Sequence, residues 1–185
     1  MAAAAPGQLG VVQAFVNTVE LLDQPREEIG TPEALGVWLG EHGLLDGTPV
    51  TPDDQAAAIE LREALRHLLL ANNGGAFRES DLAVLNRVAA DSELRPRFLA
   101  EDAVALEPAA AGARGSLGRL VAAVAAAMSE GTWRRLKACA DPTCQWAFYD
   151  ASKNWSRHWC SMEVCGNRAK ARQFRQRRRS PAASR

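Results

Sequence analysis

Four cysteines are the residues of this chain whose type and spacing most directly specify chemistry: Cys139-x4-Cys144, fifteen intervening residues, then Cys160-x4-Cys165, with none left over. Two short knuckles of equal spacing can bring four thiolates to one point, and four sulfurs around a point make the tetrahedral site that one zinc ion takes. A closed tetrahedron has no place for a reacting water, so such an ion is structural rather than catalytic. His158, two residues before Cys160, is a competing ligand, and a redox switch or an iron–sulfur cluster is the other chemistry open to four cysteines. The symmetric x4 spacing suits zinc better than the ferredoxin spacings do. Gly166 is expected to turn backbone amides toward the sulfur, and Asn167 to cap a following helix.

A second pattern starts where the cysteines stop. Arg168, Arg172, Arg175 and Arg179 recur at steps of four, three and four, one narrow face of a helix, with Lys170 beside them. Lys153 and Arg157 precede the second knuckle, and together these cations could grip phosphates from two sides, while Asn167, Lys170 or Gln173 would face a groove and read bases. A run of charge is more often a solvated face, but this one is nearly free of acids, uses Arg rather than Lys and follows a metal knuckle. Trp155 is a candidate for stacking on bases. Trp146, Phe148 and Trp159 are expected to wrap the metal, and Ala171 with Phe174 to pack on the finger.

The run from Trp159 to Lys170, containing Cys165-Gly166-Asn167-Arg168, resembles the signature of the CGNR-type zinc-finger proteins, bacterial transcription regulators. Phe148, Asp150 and Ser152 after the first Cys pair fit the same family. Further upstream, Phe15-Val16-Asn17-Thr18 and Leu35-x2-Trp38-Leu39-x3-Gly43-Leu44 are similar to the stress-induced regulator domain usually joined to such fingers. That domain normally has an acid before the Phe, where this chain has Ala14. The resemblance implies one zinc on Cys139, Cys144, Cys160 and Cys165, DNA as partner, and a bacterial regulator.

The remaining elements must position this module. Over 185 residues the net charge is zero, yet residues 133–185 carry 13 Lys/Arg against 3 Asp/Glu, and residues 1–132 carry 9 against 19. An acidic domain is therefore joined to a basic one that seeks a polyanion. With 47% hydrophobic residues a packed core is expected, whereas no apolar run is long enough to span a membrane. Residues 1–10 show no export signal, and paired cysteines used for metal fit a reducing cytoplasm.

Apolar periodicity predicts helices over 11–22, from the Thr31-Pro32 cap to Gly43, from the Thr51-Pro52 cap to about Ala71, after a Ser80 cap, and from a Ser116 cap to about Glu130. A small hairpin is expected over 94–106 with its turn at 100–102, and a flexible connector at 108–115. Arg62 and Arg66 read as a solvated helix face beside Glu60 and Glu63. Asn17, Thr18 and Trp38 are candidate ligand contacts, although Trp38 lies on an apolar stripe that also suits core.

The expected fold class is mainly α (α+β). A helical regulatory or sensor domain (1–131) folds by itself, followed by a four-cysteine finger (132–176) ending in a basic helix and by a basic tail (177–185). The expected function is a cytoplasmic transcription regulator that binds DNA through the finger, with a small-molecule effector or a homodimer on the N-terminal side. A zinc-stapled protein-interaction module and an RNA-binding protein are the alternatives. No Walker loop, dinucleotide fingerprint or nucleophile–base pair is present, so an enzyme is not expected.

Overall fold

Helix α1 (Gln8–Val16) is shorter than its periodicity suggests, because the chain turns at Asn17 and Thr18. The Thr18 hydroxyl donates to the carbonyl of Phe15 (2.9 Å), closing the turn, and the next residues leave the helix as strand β1 (Val19–Glu20). This strand pairs antiparallel with β2 (Arg26–Glu27). The computed structural model describes residues 4–22, 25–45, 47–101 and 103–179, with side chains up to 177. The Arg179 side chain, Asp102 of the expected turn and the end of the basic tail from 180 lie outside the described residues.

Two proline-led helices follow as expected. In α2 (Pro32–Glu41) the Thr31 hydroxyl accepts from the N–H of Ala34. In α3 (Pro52–Asn72) Thr51 and Asp54 form a reciprocal capping box, each side chain accepting from the other's backbone N–H. Helix α4 (Glu79–Asp91) places Arg78 rather than Ser80 at its cap, so Ser80 lies in the first turn. Strands β3 (Leu94–Ala100) and β4 (Ala103–Pro108) form the expected hairpin, with an irregularity between Phe98 and Ala100.

Helix α5 (Gly112–Ser129) begins inside the stretch expected to be a connector. Ser116 is consequently not a cap. It is buried within the helix, where its hydroxyl lies 2.7 Å from the carbonyl of Leu44 and 3.0 Å from that of Gly112. Close packing fixes Gly118, since a Cβ there would meet Ser92 Cβ at 2.5 Å.

Leu35, Leu39, Leu61, Leu65, Leu69, Phe15 and Leu120 are buried at the centre. The same apolar cluster continues past residue 131 to take in Trp133, Leu136, Ala138 and Ala147, so no gap separates the helices from the finger. The reading of Arg62 and Arg66 as a solvated face is corrected: they are 4% and 1% exposed. Arg62 makes a two-pronged pair with Glu27 (2.6 and 2.8 Å) and also reaches Glu63 and Thr18. Arg66 donates to Glu63, to the Val16 carbonyl (2.6 Å) and to the Gln145 carbonyl (3.1 Å). A planar guanidinium with five donors can be buried this way because carbonyls and carboxylates receive its protons.

Candidate metal centre and basic helix

After a single 3-10 turn (Trp133–Arg135), strand β5 (Leu136–Ala138) pairs with β6 (Ala147–Tyr149), and the first knuckle is the turn between them. Asp141 shapes that turn. Its Oδ1 accepts from the Thr143 N–H (3.1 Å) and hydroxyl (2.9 Å), while its carbonyl accepts from the Cys144 N–H. The second knuckle is a single π-turn (Met162–Gly166) that runs into α6 (Asn167–Arg179), with the Ser161 hydroxyl capping it through the Val164 N–H.

Gly166 does not serve by a left-handed backbone. Its Cα is covered by the Met162 side chain, whose sulfur would lie 2.5 Å from an added Cβ and would have to swing aside. Asn167 likewise does not cap a new helix, because Ser161 has already done so. Its amide donates to the Glu163 carbonyl at 2.8 Å and ties α6 to the π-turn.

The four sulfurs all lie within 4.8 Å of one another, with Cys144–Cys160 at 3.6 Å and Cys160–Cys165 at 3.8 Å. A tetrahedral zinc with sulfur bonds of about 2.3 Å sets sulfurs about 3.8 Å apart, so the tetrad fits one zinc ion. Hydrogen bonds from Cys144 and Cys160 pull the Cys139 thiol down, whereas burial and the charge of Cys139 push the Cys165 thiol up. Loading the ion therefore displaces protons from the cluster. His158 stays out of the ligand set: its Nδ1 lies 2.8 Å from Asn73 Oδ1. Trp146 and Trp159 pack on the sulfurs, and Phe148 is fully buried.

Sequence reasoning missed Lys137, which ties down the loop between the knuckles. Its ammonium is buried and donates to Asp150 Oδ2 (2.9 Å) and to the carbonyls of Trp155 and Arg157. Asp150 also accepts from the Ser152 hydroxyl (2.6 Å) and from the N–H groups of Ser152 and Arg157. Burial opposes its charge, but Ser152 and Lys137 outweigh that and hold the carboxyl well below the usual range. The only signal in the sequence was Asp150 and Ser152 themselves, which demand a cation nearby without saying which.

Three asparagines dock the finger on the helical part. Asn17 Nδ2 donates to the Ala147 carbonyl (2.9 Å) and its Oδ1 accepts from the Ala147 N–H (2.7 Å). Asn72 Nδ2 donates to the carbonyls of Trp133 and Leu136. Asn73 Nδ2 reaches those of Ala138 (2.8 Å) and His158 (2.9 Å). Of the candidate ligand contacts, Asn17 is thus engaged with Ala147, Thr18 is fully buried and accepts from Arg62, and Trp38 is buried and stacked on His42 at 3.9 Å. A concavity of about 170 Å³ lies instead at the seam, lined by Glu20, Leu22, Trp146, Ser161 and Val164 and bordered by Cys144, Cys160 and Cys165 of the tetrad.

The candidate cations divide into two groups. Arg168, Lys170, Arg175 and Lys153 are exposed. Arg172 turns inward, its Nη2 3.1 Å from Asp141 Oδ2, and Arg157 folds back to donate to the Cys160 carbonyl (3.0 Å). Phe174, expected to pack on the finger, is instead 61% exposed, with most of its ring in water. Trp155 is partly exposed in a left-handed conformation (φ +53°), with the Arg135 guanidinium 4.6 Å above its ring.

No curated protein matches the chain. Residues 135–178 match the CGNR zinc finger, and residues 10–131 match the family described as "Putative stress-induced transcription regulator". The second match covers well over half of the chain, so a tetrad fitted for one zinc and a helical body docked to it by asparagines belong to a member of that regulator family with a CGNR finger at its C-terminal side.

Proposed function

We propose that the chain regulates transcription by binding duplex DNA through the finger, with α6 as the contacting element. The observation that carries this reading is the exposed cationic surface of a helix that contains no acid and is anchored to the metal knuckle: Arg168, Lys170 and Arg175 on α6. Lys153 on the loop adds to it. Phosphate contacts from such residues supply affinity and orientation, and base selection falls to side chains that reach a groove, for which Gln173 and Lys170 are placed on the same helix. Asn167 and Arg172 act within the finger, as tether and brace, rather than at the phosphates. The closed tetrad supports a structural ion, and we assign the chain no catalytic step.

The N-terminal part sets the finger's orientation through Asn17, Asn72 and Asn73 and is the side on which regulation acts. A small effector would be accommodated better by the seam beside Glu20, Leu22 and Trp146 than at Asn17, Thr18 and Trp38, whose polar atoms and faces are engaged. The setting is a reducing cytoplasm, where four thiolates persist. The test is a salt titration of binding by the zinc-loaded chain to duplex DNA and to RNA of equal length. Affinity for the duplex that falls linearly in log salt supports the reading. Equal or stronger binding to RNA, or none to either, overturns it.

A further inference from the structure

We propose that the β3–β4 hairpin is a self-association surface, and that its occupant is the same hairpin of a second copy of this chain. The register sets Leu94 opposite Pro108, Pro96 opposite Leu106 and Phe98 opposite Val104. Directly opposed residues share a face, so all six side chains on this face are apolar. The alternate positions carry Arg95, Arg97, Ala105 and Glu107, with Arg97 and Glu107 paired at 2.8 Å.

Both faces of the hairpin reach water, the apolar one included. Phe98 is 81% exposed, Val104 61% and Leu106 40%, and Leu99 beside them 57%. The base of the hairpin is covered, where Leu94 packs against the core and Pro108 lies against Gly118 of α5. A two-stranded sheet is marginal in water unless a face is packed, and an aligned apolar face left outside is the mark of an interface.

Two features favour a second copy as the occupant. First, the exposed fractions of Phe98, Val104, Leu106 and Pro96 correspond to roughly 350 Å² per chain, and the same area from a partner face, with Leu99 and a polar rim added, reaches about the 1,000 Å² a specific pair requires. An identical hairpin supplies a face of matching width, length and apolarity. Second, the opposite face carries both signs, Arg95 and Arg97 with Glu93 and Glu107, and each cation is already paired with a neighbouring acid. Two copies therefore meet without a field of one sign, whereas the basic α6 of a partner would find no acidic patch here. Pro96 and the irregularity after Phe98 discourage edge pairing, so contact is face to face and closes at two.

This inference goes beyond the DNA reading and fails separately from it. Sedimentation velocity of the full zinc-loaded chain, across a concentration series into the hundred-micromolar range, should show a species of twice the 19.9 kDa chain mass. Phe98→Asp should weaken the association by more than about 30-fold, as expected for an aromatic anchor, with unchanged zinc content and helical circular dichroism. Leu106→Gln should weaken it in the same direction, and Arg97→Gln, on the other face, should leave it unchanged. A wild-type chain that stays monomeric throughout, or a Phe98→Asp dimer as tight as wild type, overturns the proposal.

Discussion

Asn17 and Ala147 form a two-way amide pair: the side chain of the first gives a proton to the carbonyl of the second at 2.9 Å and takes one from its N–H at 2.7 Å. These residues come from opposite ends of the sequence, so the pair fastens the start of the helical body to strand β6 beside the metal knuckle. Asn17→Ala leaves the buried Ala147 N–H without that partner and its carbonyl with the longer bond from Gln13 (3.3 Å). A loss of about 1–3 kcal/mol in urea unfolding of the zinc-loaded chain is expected, the range for one buried group left unsatisfied. A change within about 0.5 kcal/mol would show that this pair is not a fastening.

Removing the metal should be felt on both sides of the seam. Chelation, or Cys160→Ser, frees the two knuckles and with them the carbonyls that Asn73 holds at Ala138 and His158. Thermal unfolding followed by helical circular dichroism should therefore shift to lower temperature in the metal-free chain, and the shift should reverse when zinc is restored. A helical transition indifferent to zinc would mean that the body does not sense the finger.

Arg172 and its neighbours on α6 should separate in a salt titration. Replacing Arg168 and Arg175 together by Ala is expected to flatten the slope of log affinity against log salt by about 1.8 on duplex DNA, since each phosphate left without its cation accounts for about 0.9. Arg172→Ala should change that slope little, because the guanidinium is turned to Asp141, and should instead lower the stability of the loaded finger by at most about 1 kcal/mol. A wild-type slope in both variants would show that α6 does not face the phosphates.

Asp150 makes the finger sensitive to acid. Its carboxyl is depressed in the folded chain, so its contribution is complete above the ordinary value of 3.8 and is lost as pH falls below it. Asp150→Asn should flatten the pH dependence of stability in that acid range. Lys137→Met, which strands a buried carboxylate, should cost about 3–5 kcal/mol at neutral pH. Both are read by denaturant unfolding at fixed zinc, and a parallel pH profile in Asp150→Asn would contradict the assignment.

The parts of this molecule that sequence made legible are those governed by local rules. Thr51 and Asp54 announce a capped helix within four residues, the apolar steps from Leu61 to Leu69 announce its buried face, and two equal cysteine spacings announce a tetrad. What was not legible depends on partners distant along the chain. Arg62 and Arg66 look like surface charge until β2 supplies Glu27 and the knuckle supplies the Gln145 carbonyl. Asn17 looks like a ligand contact until β6 arrives 130 residues later. Ser116 looks like a cap because its Leu44 acceptor is 72 residues away. The even run of arginines gave no hint that Arg172 would turn inward, since its partner Asp141 lies in the other knuckle.

All three docking asparagines hold main-chain atoms of the finger: the peptide groups of Trp133, Leu136, Ala138, Ala147 and His158. A peptide group is the same whatever side chain it carries, so apart from the bond between Asn73 and the His158 ring this latch recognises the path of the finger's backbone rather than its composition. Substitutions along α6 can then accumulate without loosening the joint, and a finger of the same backbone with a different recognition helix could be grafted onto the same body in a single exchange of gene segments.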